Sequence, residues 1–155
     1  MPVKAIPDGY QAVQPYLIVD GAAAAIEFYK TVLGAVERYR LGAPGGRIGH
    51  AELTLGGSVI MLADEHPEIG AVGPRTVGGT PVGLMVYLPD VDAAIDRAVA
   101  AGARPVSPAE NKFYGDRMAT IEDPFGHRWH LSTHVEDVPP EEIARRAAAL
   151  RGKPG

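Results

Sequence analysis

The apolar positions of this chain fall into two runs of similar layout. PYLIV (15–19) and VGLMVYL (82–88) are short aliphatic stretches rich in β-branched and aromatic residues, the composition of strands. Each leads into a segment of helix formers. DGAAAAIEFYKTVLGA (20–35) predicts a helix capped by Asp20, with Ile26 and Leu33 inward and Gly34 where the helix stops. DVDAAIDRAVAAGA (90–103) repeats the plan, with Asp90 as cap, Ile95 and Val99 inward and Gly102 as terminator. The matching tetrapeptides AAIE (24–27) and AAID (93–96) lie 69 positions apart.

Three further strand candidates follow each helix. In the first half they are VERYRL, IGHAELTL and SVIMLAD, the last two joined by Gly56 and Gly57, a good two-residue hairpin turn. In the second half they are RPVSPA, MATIE and RWHLST, with DPFGH at the turn. The order strand, helix, three strands thus occurs twice, an internal duplication with a period of about 70 residues. It places a first module at 10–64, a Gly- and Pro-rich connector at 65–81 and a second module at 82–135, within one 155-residue domain. A terminal helix at 138–151 has prolines and glutamates at its start and arginines later, as a helix dipole prefers. GAPGGRIG (42–49) has the glycines of a phosphate loop but no helix after it, so it reads as a hairpin connection.

Strand side chains alternate between faces, so parity sorts each strand. Val82, Leu84, Val86 and Leu88 make one aliphatic face, with Gly83, Met85 and Tyr87 on the other. The Gly56-Gly57 turn pairs Thr54 with Val59, Leu53 with Ile60, Glu52 with Met61 and His50 with Ala63. Ala51, Leu53, Ile60 and Leu62 then face the helices, and His50, Glu52, Met61 and Ala63 take the more polar face. In the last strand Trp129, Leu131 and Thr133 are covered, while Arg128, His130, Ser132 and His134 share the opposite face.

Charge and composition narrow the function. A formal charge of -4 and a pI near 5.7 disfavour nucleic acid, and no basic stripe is present. No apolar run approaches the roughly 20 residues that span a bilayer, and MPVKAIPDGY lacks the apolar core of a signal peptide, so a cytoplasmic protein is expected. The absence of cysteine excludes disulfides, thiolate nucleophiles and zinc-thiolate sites.

His127, His130 and His134 lie within eight residues and suggest a metal cluster, but on a strand His127 falls at the turn and out of parity. His50 and Glu52 are two apart on one strand face. They suit acid-base work, with Glu52 orienting His50 or acting as a base whose pKa an apolar cavity raises, or else form a polar pair facing solvent. Tyr114, Asp116 and Arg117 in FYGDR precede a strand, where an arginine can hold an anionic or carbonyl oxygen or simply pair with an aspartate. Tyr16, Met85 and Tyr87 suit an apolar or aromatic ligand or fill the sheet.

A duplicated strand-helix-three-strand module ending in DPFGHRWHL, with FYGDR (113–117) and GHAEL (49–53), resembles the vicinal oxygen chelate superfamily. That superfamily includes glyoxalase, bleomycin-resistance proteins and extradiol dioxygenases, and the likeness is to its single-chain glyoxalase-like branch over about residues 10–135. The resemblance implies an α+β fold of two tandem βαβββ modules whose curved mixed sheets enclose a small-molecule cavity, plus the C-terminal helix, and a homodimer. It places the metal-ligand positions of the family's metal-using members at Gln14, Met61, Gly83 and His130. Gly83 offers no side-chain ligand, Met61 is a soft thioether and Gln14 is a weak donor. No cofactor is therefore favoured, and a divalent metal, if bound, would use Gln14, Glu52 and His130.

The expected function is binding of a small oxygenated or aromatic metabolite, for metal-independent acid-base chemistry of the lyase or isomerase type: isomerisation, elimination or cyclisation. His50, Glu52 and His130 would be catalytic, with Gln14, Tyr16, Met61, Met85, Tyr87, Tyr114 and Arg117 contacting the ligand. The alternatives are sequestration of an antibiotic or toxic compound without chemistry, and a metal-dependent lyase or dioxygenase.

Overall fold

A computed structural model of the protein describes residues 2–152. The chain forms two compact units, one of residues up to Pro81 together with 124–127, the other of 82–123 and 128 onward. Each contains a four-stranded mixed sheet. In the first unit these strands are β1 (Tyr16–Val19), β2 (Val36–Gly42), β3 (Ile48–Leu55) and β4 (Ser58–Asp64), in the order β1-β4-β3-β2. In the second, β5 (Gly83–Tyr87), β6 (Arg104–Asn111), β7 (Asp116–Glu122) and β8 (Arg128–His134) take the order β5-β8-β7-β6. β1 runs parallel to β4 and β5 parallel to β8, and the remaining pairs are antiparallel.

The duplication holds at the level of register. Tyr16 pairs with Met61 and Leu17 with Leu62, and 69 positions on, Met85 pairs with His130 and Val86 with Leu131. In the β3–β4 hairpin Glu52 faces Met61, Leu53 faces Ile60 and Thr54 faces Val59, as the two-residue turn requires, with Gly56 at φ 60°.

Between β1 and β2 lies α1 (Ala22–Leu33), whose Ala22, Ala25, Ile26, Tyr29, Val32 and Leu33 are buried with Leu53 and Leu62 in the first core. Its N-cap is Gly21, not Asp20, and no side chain of the cap residue bonds there. The cap comes from across the sheet: the Asp64 carboxylate accepts the N–H groups of Gly21 (2.9 Å) and Ala22 (2.8 Å), and also that of Ile48 (2.8 Å). Asp20 instead makes a long contact with Arg47 at 3.4 Å. The C-terminal stop is as expected, with Gly34 left-handed.

In the second unit α3 (Val91–Ala100) is capped by Asp90, whose carboxylate accepts the Ala93 N–H at 3.1 Å. Thr133, 69 positions after Asp64, accepts the Val91 N–H at 2.9 Å and donates to the Leu88 carbonyl at 2.8 Å. The inward stripe of α3 is Val91, Ala94 and Ala98, whereas Val99 is 47% exposed and Ile95 only half-buried. Small residues on this face let the helix lie close to Trp129, Ile121 and Leu131 of its own unit, and the Trp129 indole N–H donates to the buried Asp123 carboxylate at 2.9 Å. On β5, Val82 is exposed, Leu84 and Val86 are half-buried and Leu88 is buried, so the aliphatic face is covered only towards its end.

Residues 124–127 of the DPFGH turn belong to the first unit, where Phe125 packs edge-on against Phe28 and Tyr29. His127 reaches the Ile18 carbonyl of β1 at 2.9 Å. The connector carries a one-turn 3-10 helix (Pro67–Ile69) and the short α2 (Pro74–Val77). The terminal helix α4 runs Pro140–Arg151 and is tied down by Arg146, which donates to the Phe113 carbonyl and to Glu136. None of the helices among the described residues is long and apolar enough to cross a membrane.

Candidate functional site

On the open face of the first sheet, strand parity places Tyr16 on β1, His50 and Glu52 on β3, and Met61 on β4. Glu52 is only 3% exposed, and its carboxylate is fully engaged. Tyr10 donates to Oε1 at 2.6 Å, Tyr39 donates to Oε2 at 2.9 Å, and the His50 Nε2 lies 2.9 Å from Oε2. Arg38 adds a positive charge at 4.0 Å from Oε1 and stacks over the Tyr10 ring at 4.6 Å.

These contacts set the protonation pattern. Burial is the largest single influence on Glu52 and acts upward, but the hydrogen bonds from Tyr10, His50 and Tyr39, with the charge on His50, outweigh it and hold the carboxyl below its ordinary value. The expectation of a raised pKa is thereby corrected: the surroundings are a ring of donors, not an apolar wall. A carboxylate can only accept, so Nε2 of His50 carries hydrogen, and in the neutral ring Nδ1 is left as an acceptor. Tyr16 OH stands 2.8 Å from that Nδ1 and donates to it. The tyrosines respond in kind. Tyr10 and Tyr39 are raised chiefly by their bonds to Glu52, and Tyr16 is raised first by burial and then by the Glu52 charge.

Tyr16 also lines a cavity of about 520 Å³ within the first unit, a volume typical of small-molecule sites. Its walls include Ile18, Ile48, Ala63 and Ile69, with Arg47 from the β2–β3 loop and Glu65 from the end of β4. The β2–β3 loop, where a 3-10 turn occupies Pro44–Gly46, and the start of the connector therefore both border this space. A hydrogen-bonded line thus runs from the buried Glu52 through His50 to Tyr16, a residue that lines the cavity.

The remaining expected residues divide by unit. His130 belongs to the second unit, where its Nδ1 lies 2.9 Å from Thr120 Oγ1. Met85 and Tyr87 are on the open face of the second sheet, 50% and 60% exposed, and the Tyr87 hydroxyl donates to the buried Asp116 at 2.8 Å. Asp116 also meets His134 Nδ1 at 2.8 Å, and Nε2 of the same ring meets Asp137 at 2.7 Å. Tyr114 reaches the Met118 sulfur at 3.7 Å. Asp116 and Arg117 begin β7 and do not lie in the preceding turn, and the Arg117 guanidinium is held by Asp92 at 2.8 and 2.9 Å and by Asn111 at 3.2 Å.

The donor set for the metal that the fold family implies does not fit. Gln14 Oε1 already accepts the Gln11 N–H at 2.6 Å, and Met61 is half-buried beside Glu52. A Cβ on Gly83 would lie 2.7 Å from His130 Nε2, so the imidazole occupies the space that a ligand side chain at 83 would need. Both Glu52 oxygens are taken, which removes the substitute ligand. Among the described residues no group of three or more His, Asp or Glu is arranged to hold a metal ion.

Two members of the Glu52 network were not foreseeable from parity. The β2–β3 register pairs Glu37 with Leu53 and then Tyr39 with Glu52, so a bulge at Arg38 turns Tyr39 to face the carboxylate. Tyr10 lies outside any helix or strand, where periodicity carries no signal.

Residues 11–131 match the family described as the Glyoxalase/Bleomycin resistance protein/Dioxygenase superfamily. An uncharacterized protein of Mycobacterium bovis, Mb0911c, is 42% identical over 135 residues, covering 85% of this chain and 89% of that protein. The crystal structure of TioX from Micromonospora sp. ML1 is 26% identical with a TM-score of 0.61, covering 83% of this chain and all of that one. The fosfomycin resistance protein FosX of Listeria monocytogenes is 18% identical with a TM-score of 0.63, covering 86% and 97%, a likeness of fold alone. With its two βαβββ sheets and this match over most of its length, the chain belongs to the glyoxalase/bleomycin resistance protein/dioxygenase superfamily.

Proposed function

We propose that the first unit binds a small carbonyl compound with an apolar or aromatic body and moves a proton on it without a metal. The observation that carries this reading is the line Glu52–His50–Tyr16 ending at a residue that lines the cavity. When a C–H proton next to the substrate carbonyl transfers to the Tyr16 oxygen, the phenolic proton passes to His50 Nδ1. The tyrosine stays neutral, the C–H electron pair remains on the substrate as an enolate, and His50 becomes an imidazolium facing the Glu52 carboxylate. In a 2-hydroxy ketone the hydroxyl proton crosses to the enolate oxygen, and return of the first proton from His50 through Tyr16 to the former carbonyl carbon completes an isomerisation. Loss of a β-leaving group from the enolate would make it an elimination. Glu52 acts here as a positioning residue, since both of its oxygens are occupied.

The apolar wall of Ile18, Ile48, Ala63 and Ile69 suits the body of the ligand, and Arg47 suits a second oxygen. The same wall supports a second reading, retention of a compound without turnover, in keeping with the resistance proteins in the superfamily's description.

The test is solvent deuterium incorporation, followed by mass spectrometry and NMR, for a panel of aliphatic and aromatic 2-hydroxy ketones, with and without a chelator. Chelator-insensitive exchange that falls by about a hundredfold or more in Tyr16→Phe is the expected result. Binding with no exchange, equal in wild type and Tyr16→Phe, leaves retention as the function, and exchange abolished by the chelator overturns the metal-free reading.

A further inference from the structure

We propose that Tyr10, carried on the segment before β1, is a positioning residue of the proton line, a role that rests on the acid-base reading of Tyr16 and His50. Tyr10 lies one residue ahead of residue 11, where the family match begins. Its hydroxyl makes the shortest of the three contacts to Glu52, 2.6 Å against 2.9 Å for both Tyr39 and His50. Arg38 fixes the segment from β2: the guanidinium lies 4.6 Å above the Tyr10 ring and donates to the Gly9 carbonyl at 3.4 Å.

The division of labour on the carboxylate gives Tyr10 its effect. Tyr10 holds Oε1, with Arg38 4.0 Å from the same atom, while Oε2 is shared by Tyr39 and His50. A carboxylate anchored at one oxygen cannot rotate, so its other oxygen stays directed at His50 Nε2. That contact keeps the hydrogen on Nε2 and leaves Nδ1 bare towards Tyr16. The groups facing Glu52 are therefore Tyr10 from the leading segment, Arg38 and Tyr39 from β2 and His50 from β3, with Tyr16 of β1 one bond further along. Without the Tyr10 donor, Oε1 keeps no hydrogen bond from the leading segment, and the carboxylate is free to turn Oε2 away from His50 Nε2.

Tyr10→Phe keeps the ring over Arg38 and deletes only the hydroxyl. The ring nitrogen shifts of His50 are followed by long-range proton–nitrogen NMR at about pH 8, where an ordinary histidine is neutral, in wild type, Tyr10→Phe and Tyr39→Phe. Unchanged amide spectra outside the site serve as the folding control. The expected result is a displaced His50 Nε2 shift in each variant, since each loses one donor to the shared carboxylate. Tyr10→Phe should in addition show a measurable fraction of the Nδ1–H tautomer. His50 nitrogen shifts and tautomer identical to wild type in Tyr10→Phe overturn the role of Tyr10.

Deuterium exchange on the 2-hydroxy ketone panel separates this inference from the reading beneath it. A reduced kcat with unchanged KM in Tyr10→Phe supports positioning in a working relay. Altered nitrogen shifts in a protein whose wild type exchanges nothing support the geometry and reject the acid-base function.

Discussion

The two sheets share one plan, and each open face buries a carboxylate against a tyrosine and a histidine. The positions differ: Glu52 stands opposite Met61 in the first and Asp116 opposite His134 in the second. Met61 and His130 are equivalent by the 69-residue period, and their antiparallel partners are Glu52 in the first sheet and Thr120 in the second. Glu52 gathers two tyrosines and a histidine, whereas Thr120 meets only the His130 ring. The helix-capping positions diverge far less in role: Asp64 and Thr133, also 69 apart, both bond the first helical N–H of their unit. Groups that close the backbone account of a helix start are constrained by the fold, while side chains on an open sheet face are free to differ.

The capping pair gives the largest expected effect on stability. Asp64→Ala orphans three backbone N–H groups and is expected to cost about 3 kcal/mol, against about 1–2 kcal/mol for Thr133→Ala, by urea denaturation. The reverse order would show that these residues are not doing equivalent work.

The units should also differ at the alkaline end of the pH scale. In the first, burial pushes Asp64 upward, but the N–H groups of Ile48, Ala22 and Gly21 and the Arg47 charge prevail and hold it below 3.8. Glu52 is likewise held below 4.5. A depressed carboxyl stabilises fully above its unfolded value and loses that contribution as the pH falls through the folded one. In the second unit His134 is raised above 6.5, first by its bond to Asp116 and then by that to Asp137. Its contribution is complete below about 6.5 and is lost as the pH rises through the folded value. Fluorescence of Trp129, the single tryptophan, reports on the second unit, and amide NMR reports on the first. His134→Ala should flatten the alkaline limb seen by Trp129 and leave the acid limb, and Asp64→Asn should flatten the acid limb of the first unit. An alkaline limb unchanged in His134→Ala contradicts the assignment.

The smallest contrast is between the two aspartates that precede the helices. Asp90→Ala removes a true cap and should cost about 1 kcal/mol, while Asp20→Ala breaks only an exposed pair and should stay within about 0.5 kcal/mol. Equal costs in thermal melts would restore Asp20 as a cap.

Much of this was legible before the structure. Parity and the Gly56-Gly57 turn placed His50, Glu52 and Met61 on one face with the observed register, because a two-residue turn leaves no freedom in pairing. The repeat of 69 in the sequence reappears in the equivalent registers of β1 on β4 and β5 on β8. Asp20 misled because the cap arrived from a residue 44 positions away, a tertiary contact that local spacing does not encode. Val99 misled because alanines, which carry little apolar signal, form the inward stripe of α3. Tyr39 needed a bulge and Tyr10 needed an irregular segment, and neither has a period.

The central claim is that a buried carboxylate orients His50 so that its free nitrogen faces Tyr16. The nitrogen NMR spectrum of wild-type protein at about pH 8 tests it directly, where an ordinary histidine is neutral. The account predicts hydrogen on Nε2 of His50 and a bare Nδ1 whose shift moves in Tyr16→Phe but not in Tyr87→Phe. Hydrogen on Nδ1, or a spectrum indifferent to Tyr16, would contradict it.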